Sequence, residues 1–149
     1  MNLLIREVHR HMFDKIWAWA GKYRRTNTNI GINWYQIPEQ TKVLCDDFEH
    51  WNSATTTTIY EVAARLQNRL TKIHPFVNGN GRHARLITDM FFRSKKHALP
   101  TWPQTQLMQN GSEVRMRYAS AMKAADQGDF APLSKFIEDC FLKEFPGAA

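Results

Sequence analysis

Apolar residues recur at three- and four-residue steps along most of the chain, the spacing of helices that bury one side. Ile5, Val8, Met12, Ile16 and Trp19 predict a first helix over Leu3 to Trp19, with Gly21 as its stop. Val43, Leu44, Phe48 and Trp51 predict a second over Glu39 to Trp51. Ile59, Val62, Ala63, Leu66, Leu70 and Ile73 predict a third, preceded by the polar break Ser53 to Thr58, where a threonine suits the cap. Pro75 prevents that helix from continuing beyond His74. From Gly81 onward, Leu86, Ile87, Met90, Phe91 and Phe92 are apolar on most sides, which implies a central helix. Residues 98 to 111 carry Pro100, Pro103 and Gly111 and read as a loop with one short turn at most. Val114, Tyr118, Ala121, Met122 and Ala125 define a further helix ended by Gly128. Pro132 opens the last one, with Leu133, Phe136, Ile137, Cys140 and Phe141 facing inward.

One stretch breaks the period. Tyr23 to Ile30 alternates and is rich in Thr and Asn, and Gly31-Ile32-Asn33 is a turn signal before Trp34-Tyr35-Gln36-Ile37-Pro38. This predicts a short β-hairpin flap closed by Pro38. A single hairpin forms no independent sheet, so it must lie on the helical body. Its open edge suits strand addition by an extended peptide, and a merely structural loop explains the same residues. The expected fold class is all-α, a helical bundle with a small β-hairpin flap, in one domain over residues 1–149. The chain begins inside its first helix, so an N-terminal extension has been lost or never existed.

Composition changes this picture little. A chain of 149 residues with 43% hydrophobic content, nine Phe and five Trp can build its own core. No apolar run approaches the roughly 20 residues of a membrane span. The opening residues mix charge with apolar positions and do not read as a signal peptide. Cys45 and Cys140 have no metal-type spacing and read as reduced thiols in a cytoplasmic protein. The net charge of +6 suits an anionic partner, but the cations are scattered and Arg24-Arg25 reads as solvated surface. With no basic arm, nucleic acid is an unlikely partner.

The chemistry concentrates in His74-Pro75-Phe76-Val77-Asn78-Gly79-Asn80-Gly81-Arg82-His83-Ala84-Arg85. Gly79 and Gly81 let backbone N–H groups face an anion, and the helix start adds unpaired donors and a positive dipole end. Arg82 and Arg85, three residues apart, share one helix face and can both reach a phosphate chain. His9, His11, His50 and His97 show no metal spacing and read as ordinary surface or interface residues, while His83, facing away from Arg82, reads as a surface residue or one just behind the site. The loop lacks the Lys-Ser/Thr ending of a Walker A sequence. Phe13, Trp17 and Trp19 read as core. Tyr118 and Arg115 suit an approach to a nucleoside, and core packing explains Tyr118 equally well.

These residues resemble the Fic family of nucleotidyltransferases, whose motif is His-Pro-Phe, any residue, Asp or Glu, Gly-Asn-Gly-Arg, two residues, Arg. His74, Pro75, Phe76, Gly79, Asn80, Gly81, Arg82 and Arg85 match it. The Trp19 to Arg24 segment and the run Gly128 to Leu133 extend the likeness, which is strongest for the bacterial subgroup named mobile mystery protein B. The resemblance implies a Fic fold that transfers AMP from ATP to a Ser, Thr or Tyr hydroxyl of a target protein. In it His74 is the catalytic base, and Asn78, Gly79, Asn80, Gly81, Arg82 and Arg85 bind nucleotide and phosphate. Phe76 anchors the loop, while Ile30, Gly31, Ile32, Asn33, Trp34 and Tyr35 dock the target. The departure is Asn78, which stands where the family carries an acid that ligates Mg²⁺; a neutral amide implies weaker metal binding. Gly81 favours nucleotidyl transfer over the phosphorylating branch, which has Lys there. The alternatives are transfer of another nucleotide or a phosphate, or a degenerate, non-catalytic binding module. The family's inhibitory pattern is not matched by Thr57 to Glu61 or by Ser134 to Glu138, so restraint is expected from an antitoxin chain or an N-terminal segment.

Overall fold

The computed structural model describes residues 1–142, so the last seven positions of the expected 1–149 domain lie outside the described residues. Seven α-helices follow in order: α1 (Asn2–Phe13), α2 (Ile37–Ser53), α3 (Ile59–Ile73), α4 (Asn80–Ser94), α5 (Gln104–Met108), α6 (Glu113–Asp126) and α7 (Ala131–Leu142). One turn of 3₁₀ helix, Trp34–Gln36, precedes α2. The fold is all-α, as expected.

The hub is α3, which packs on α2, α4, α6 and α7. Thr58 caps it, accepting the Glu61 N–H at 3.1 Å, and Val62, Ala63, Leu66, Leu70 and Ile73 are buried beneath it. Ile87, Phe91 and Phe92 of α4 close the same core, while Leu86 lies out on its rim at 36% exposure. A polar thread crosses the core: the Tyr118 hydroxyl donates to Gln67 Oε1 (3.1 Å), and Gln67 Nε2 donates to Thr88 Oγ1 (3.3 Å). Both ends of Gln67 are thus satisfied where burial would otherwise be costly. Cys45 and Cys140 are free thiols.

Two expectations fail here. The first helix ends at Phe13 and not at Trp19, and Ile16 is 69% exposed. Residues 14–21 instead form tight turns that stack Trp17 on Trp19, with ring centroids 4.5 Å apart. Periodicity continued where the aromatic packing turned the chain.

The flap is not a β-hairpin, and no strand occurs among the described residues. Side chains take the backbone groups that a partner strand would need. Arg24 Nη1 donates to the Thr26 carbonyl (3.0 Å) and Nη2 to the Ile32 carbonyl (2.5 Å), while Asn27 Oδ1 accepts the Trp34 N–H (2.9 Å). Such local bonds compete with strand pairing and win here. Pro38 does not close a hairpin; it sits in the first turn of α2, where its missing N–H costs nothing.

Candidate functional site

Helix α3 ends on His74, whose backbone is left-handed at φ 50° and ψ 62°. A non-glycine residue there is strained by about 1–3 kcal/mol, so its surroundings must hold it. Arg24 does so, donating Nε to the His74 carbonyl at 2.6 Å and Nη2 to the Ile73 carbonyl at 3.2 Å. Two residues on, Phe76 is fully buried. Asn80, the first residue of α4, reaches back to it: Oδ1 accepts the Phe76 N–H (3.0 Å), and Nδ2 donates to the Phe76 carbonyl (2.8 Å). The turn is closed on itself by one amide. Gly79 caps α4 at φ 79°, where a Cβ would meet the Phe13 ring at 2.6 Å, so only glycine fits.

Above this turn lies a cavity of about 270 Å³ lined by His74, Val77, Asn78, Gly79, Asn80, Gly81, Arg82, Arg85 and Met108. All seven residues expected in the catalytic and phosphate-binding roles therefore meet in one place. The free N–H groups of the first α4 turn and its dipole end face an anion there. The two guanidinium groups reach the cavity differently. Arg82 is exposed and lies over the rings of Phe13 (4.9 Å) and Trp17 (6.0 Å). Arg85 is buried, with its guanidinium beneath Gly81. Burial pulls its pKa below the usual arginine value, and the neighbouring Tyr118 pushes it back. No carboxylate lines the cavity, and neither arginine forms an ion pair among the described residues. A buried cation without a counter-ion is costly to desolvate, and a polyphosphate would offset that cost.

His74 is half-buried, and burial first, then the Arg24 charge, hold its pKa below the ordinary histidine value. Both effects favour the neutral imidazole, the form that can accept a proton. The flap reaches this residue at Gly31 (φ 100°), where a Cβ would come within 2.7 Å of both His74 Cβ and Arg24 Nη2. The remaining flap residues Ile30, Asn33, Trp34 and Tyr35 are exposed, and Ile32 is half-buried.

The donor set for a divalent cation is thin. Among the cavity's side chains only Asn78 offers an oxygen aimed for such a role, and its Oδ1 already accepts the Gly79 N–H at 2.7 Å. No cluster of three His, Cys, Asp or Glu exists among the described residues. One neutral oxygen, already engaged, does not fit a protein-held Mg²⁺.

Histidines 9 and 83 correct the reading of them as surface residues. His9 is fully buried: the Gly21 N–H donates to Nδ1 (2.9 Å), so Nε2 carries the proton and donates to the Asn78 carbonyl (3.0 Å). Its ring stacks on Phe76 at 3.7 Å. It therefore braces the phosphate loop from α1, across 69 positions of sequence. His83 is 1% exposed, donates Nε2 to the Ile5 carbonyl (2.8 Å), and has its pKa pushed down to about 4 by burial. Arg24, expected on the surface, is 2% exposed. Phe13 and Trp17, expected as core, form the platform under Arg82. No spacing in the sequence marks these partners, because each acts on a residue far away along the chain.

Fold and site together define a helical protein with a glycine-bearing loop at a helix N-terminus, two arginines on that helix, and a half-buried histidine at the end of the helix before it. The family model described as Fic/DOC family matches residues 3–92. The chain belongs to the Fic/DOC family. It is 32% identical over 143 residues to the "Protein adenylyltransferase Fic" of Drosophila grimshawi and to that of Drosophila melanogaster. These matches take in 93% of this chain but only 28% and 27% of those proteins, so the chain spans little more than a quarter of their length. A Fic domain containing signaling protein from Bacteroides thetaiotaomicron shares the fold at TM-score 0.78 and 20% identity, over 96% of this chain and 60% of that one. The BepC protein of Bartonella tribocorum, with bound AMPPNP, does so at TM-score 0.68 and 21% identity, over 93% and 73%. These likenesses speak for the family and not for the mobile mystery protein B subgroup.

Proposed function

We propose that this chain transfers AMP from ATP to a hydroxyl of a target protein. The single observation that carries the reading is one cavity lined by His74, the N-terminal turn of α4 and two arginines that form no ion pair among the described residues. The adenylyltransferase relatives support it.

In this reading the triphosphate lies over the N-terminus of α4. His74 accepts the proton of the incoming hydroxyl as its oxygen attacks the α-phosphorus. The bond from that phosphorus to the oxygen bridging to the β-phosphate breaks, and pyrophosphate leaves. Arg82 and Arg85 hold the negative charge that builds on the leaving group. Asn80 contributes its backbone N–H, since its side chain is committed to Phe76. Gly81 suits this role because a Cβ there would already stand 3.4 Å from Arg85 Nη1, and a lysine side chain would crowd the guanidinium. No step in this reading is assigned to a protein-held magnesium, since Asn78 Oδ1 already accepts the Gly79 N–H. The flap from Ile30 to Tyr35 presents the target backbone, and Gly31 sets its distance from His74.

Restraint by a separate antitoxin chain or an N-terminal segment belongs to the same reading; Glu61, in a stretch that does not match the inhibitory pattern, pairs with Arg65 at 2.8 Å. Two free thiols suit a reducing, cytoplasmic setting.

Incubation with ATP labelled at the α- or γ-phosphate and a protein lysate tests the proposal. Label from the α position alone is expected, and His74→Ala should lower it by about 10²–10⁴-fold. Label from γ alone, or unchanged labelling by His74→Ala, overturns it.

A further inference from the structure

Beside the flap, away from the phosphate loop, a second cavity of about 760 Å³ gathers cations and aromatic rings. Arg6, Lys22 and Arg25 line it together with Tyr23, Trp34 and Tyr35, and no Asp or Glu does. All three cations are exposed, and none forms an ion pair among the described residues. Arg6 donates Nε to the Gly21 carbonyl at 3.0 Å and lies 5.3 Å over the Tyr23 ring, which fixes its position without neutralising it. Trp34 and Tyr35 stand edge to face, 6.0 Å apart, and keep 42% and 64% of their surface in solvent. Three like charges around one opening repel one another, and an anionic occupant removes that repulsion.

The place of the cavity narrows the occupant. Its wall includes Arg24, whose guanidinium also holds the His74 carbonyl, so cavity and base share one side chain. The cations come from separate stretches, Arg6 from α1 and Lys22 and Arg25 from the segment before the flap. The N-terminus of α2 reaches the wall at Pro38, which has no N–H to offer a phosphate. Cations from separate stretches, with aromatic rings in the same wall, fit an extended chain carrying several carboxylates.

We infer that this cavity binds an acidic segment of the same protein that presents its hydroxyl to His74, so that carboxylates near the modified residue select the target. The inference rests on the AMP-transfer reading and deepens it. Carboxylates engage Arg6, Lys22 and Arg25, the peptide lies against Trp34 and Tyr35, and the segment runs past Gly31 to the base. The net charge of +6 draws such a partner in before contact.

A fluorescent peptide with one tyrosine among glutamates, and its twin with glutamine at every glutamate, test this by anisotropy on the full chain. The glutamate peptide should bind at least about tenfold more tightly at low salt, and the gap should narrow as salt screens the charges. Lys22→Glu with Arg25→Glu should abolish the preference, and Lys22→Gln with Arg25→Gln should reduce it. Binding of a fluorescent ATP analogue should stay unchanged in both. Equal affinity for the two peptides, an unchanged preference in the charge-reversed variant, or equally tight binding of an oligothymidylate of the same charge overturns the inference. The two readings fail separately. Loss of the glutamate preference with α-label transfer intact removes only the acidic segment, whereas a surviving preference without α-label transfer removes the chemistry.

Discussion

The turn from His74 to Arg82 and the flap from Thr26 to Tyr35 meet at Arg24 and are built on opposite plans. In the turn, buried side chains spend their polar groups on nearby main chain: Asn80 on Phe76, His9 on Asn78, Arg24 on His74. In the flap, beyond the Arg24 anchor, short polar residues bond one another at the surface, as Asn27 does with Asn33 and Thr28 with the Ile30 carbonyl. Its large side chains, Trp34 and Tyr35, stay in solvent. The difference follows from what each region must do. The proposed phosphate chemistry needs donors held to fractions of an ångström, and the turn is cross-braced from α1, from α4 and from Arg24 before the flap. A surface that takes in another chain gains from adaptable contacts, so the flap is tied at one point and left open.

The comparison breaks most directly at Asn80. Asn80→Ala leaves a buried N–H and a buried carbonyl of Phe76 without partners, which should cost about 4 kcal/mol at roughly 2 per group. Chemical denaturation would read the loss, and α-label transfer should fall with it. A drop no larger than a surface change gives would mean that the turn holds its shape without the brace.

Acid should loosen the turn before the flap. His83 is buried neutral, its pKa lowered from 6.5 to about 4, so the unfolded chain takes up this proton more readily than the folded one. Its contribution is fully present above pH 6.5 and is lost as pH falls toward 4, on the order of 3 kcal/mol in all. The lowered pKa values of His9 and His74 act in the same direction. Melts between pH 7 and pH 4 should show this slope, and His83→Gln, which keeps a donor for the Ile5 carbonyl, should flatten it.

The smallest effect on stability is expected in the flap. Tyr35→Ala should change stability by less than about 0.5 kcal/mol, as surface substitutions do, while raising KM for a protein target several-fold with kcat little altered. A large loss of stability would show that the flap is part of the frame after all.

Much of this was legible in the chain. The boundaries of α3 followed from a capping threonine, an apolar stripe of about four turns and a proline two residues past the end. The seven expected site residues that line the cavity lay within twelve consecutive positions, so local spacing sufficed to find them. The flap misled because its Thr and Asn residues suit both alternating strands and side-chain-to-backbone turns, and only the distant Arg24 decides between these. His9 was invisible for a similar reason. A lone histidine on an amphipathic helix carries no mark of the loop it will meet.

What is local in sequence was therefore legible in it: most of the helices, the run of residues that lines the cavity at the start of α4, and the histidine set at a fixed offset from two arginines. What depends on contacts between distant segments was settled only by folding. Burial drove His9, His83 and Arg24 inward and gave each the partner that a desolvated polar group requires, while Arg82 and Arg85 form no ion pair among the described residues. In the proposed reaction that pairing is left to a phosphate chain.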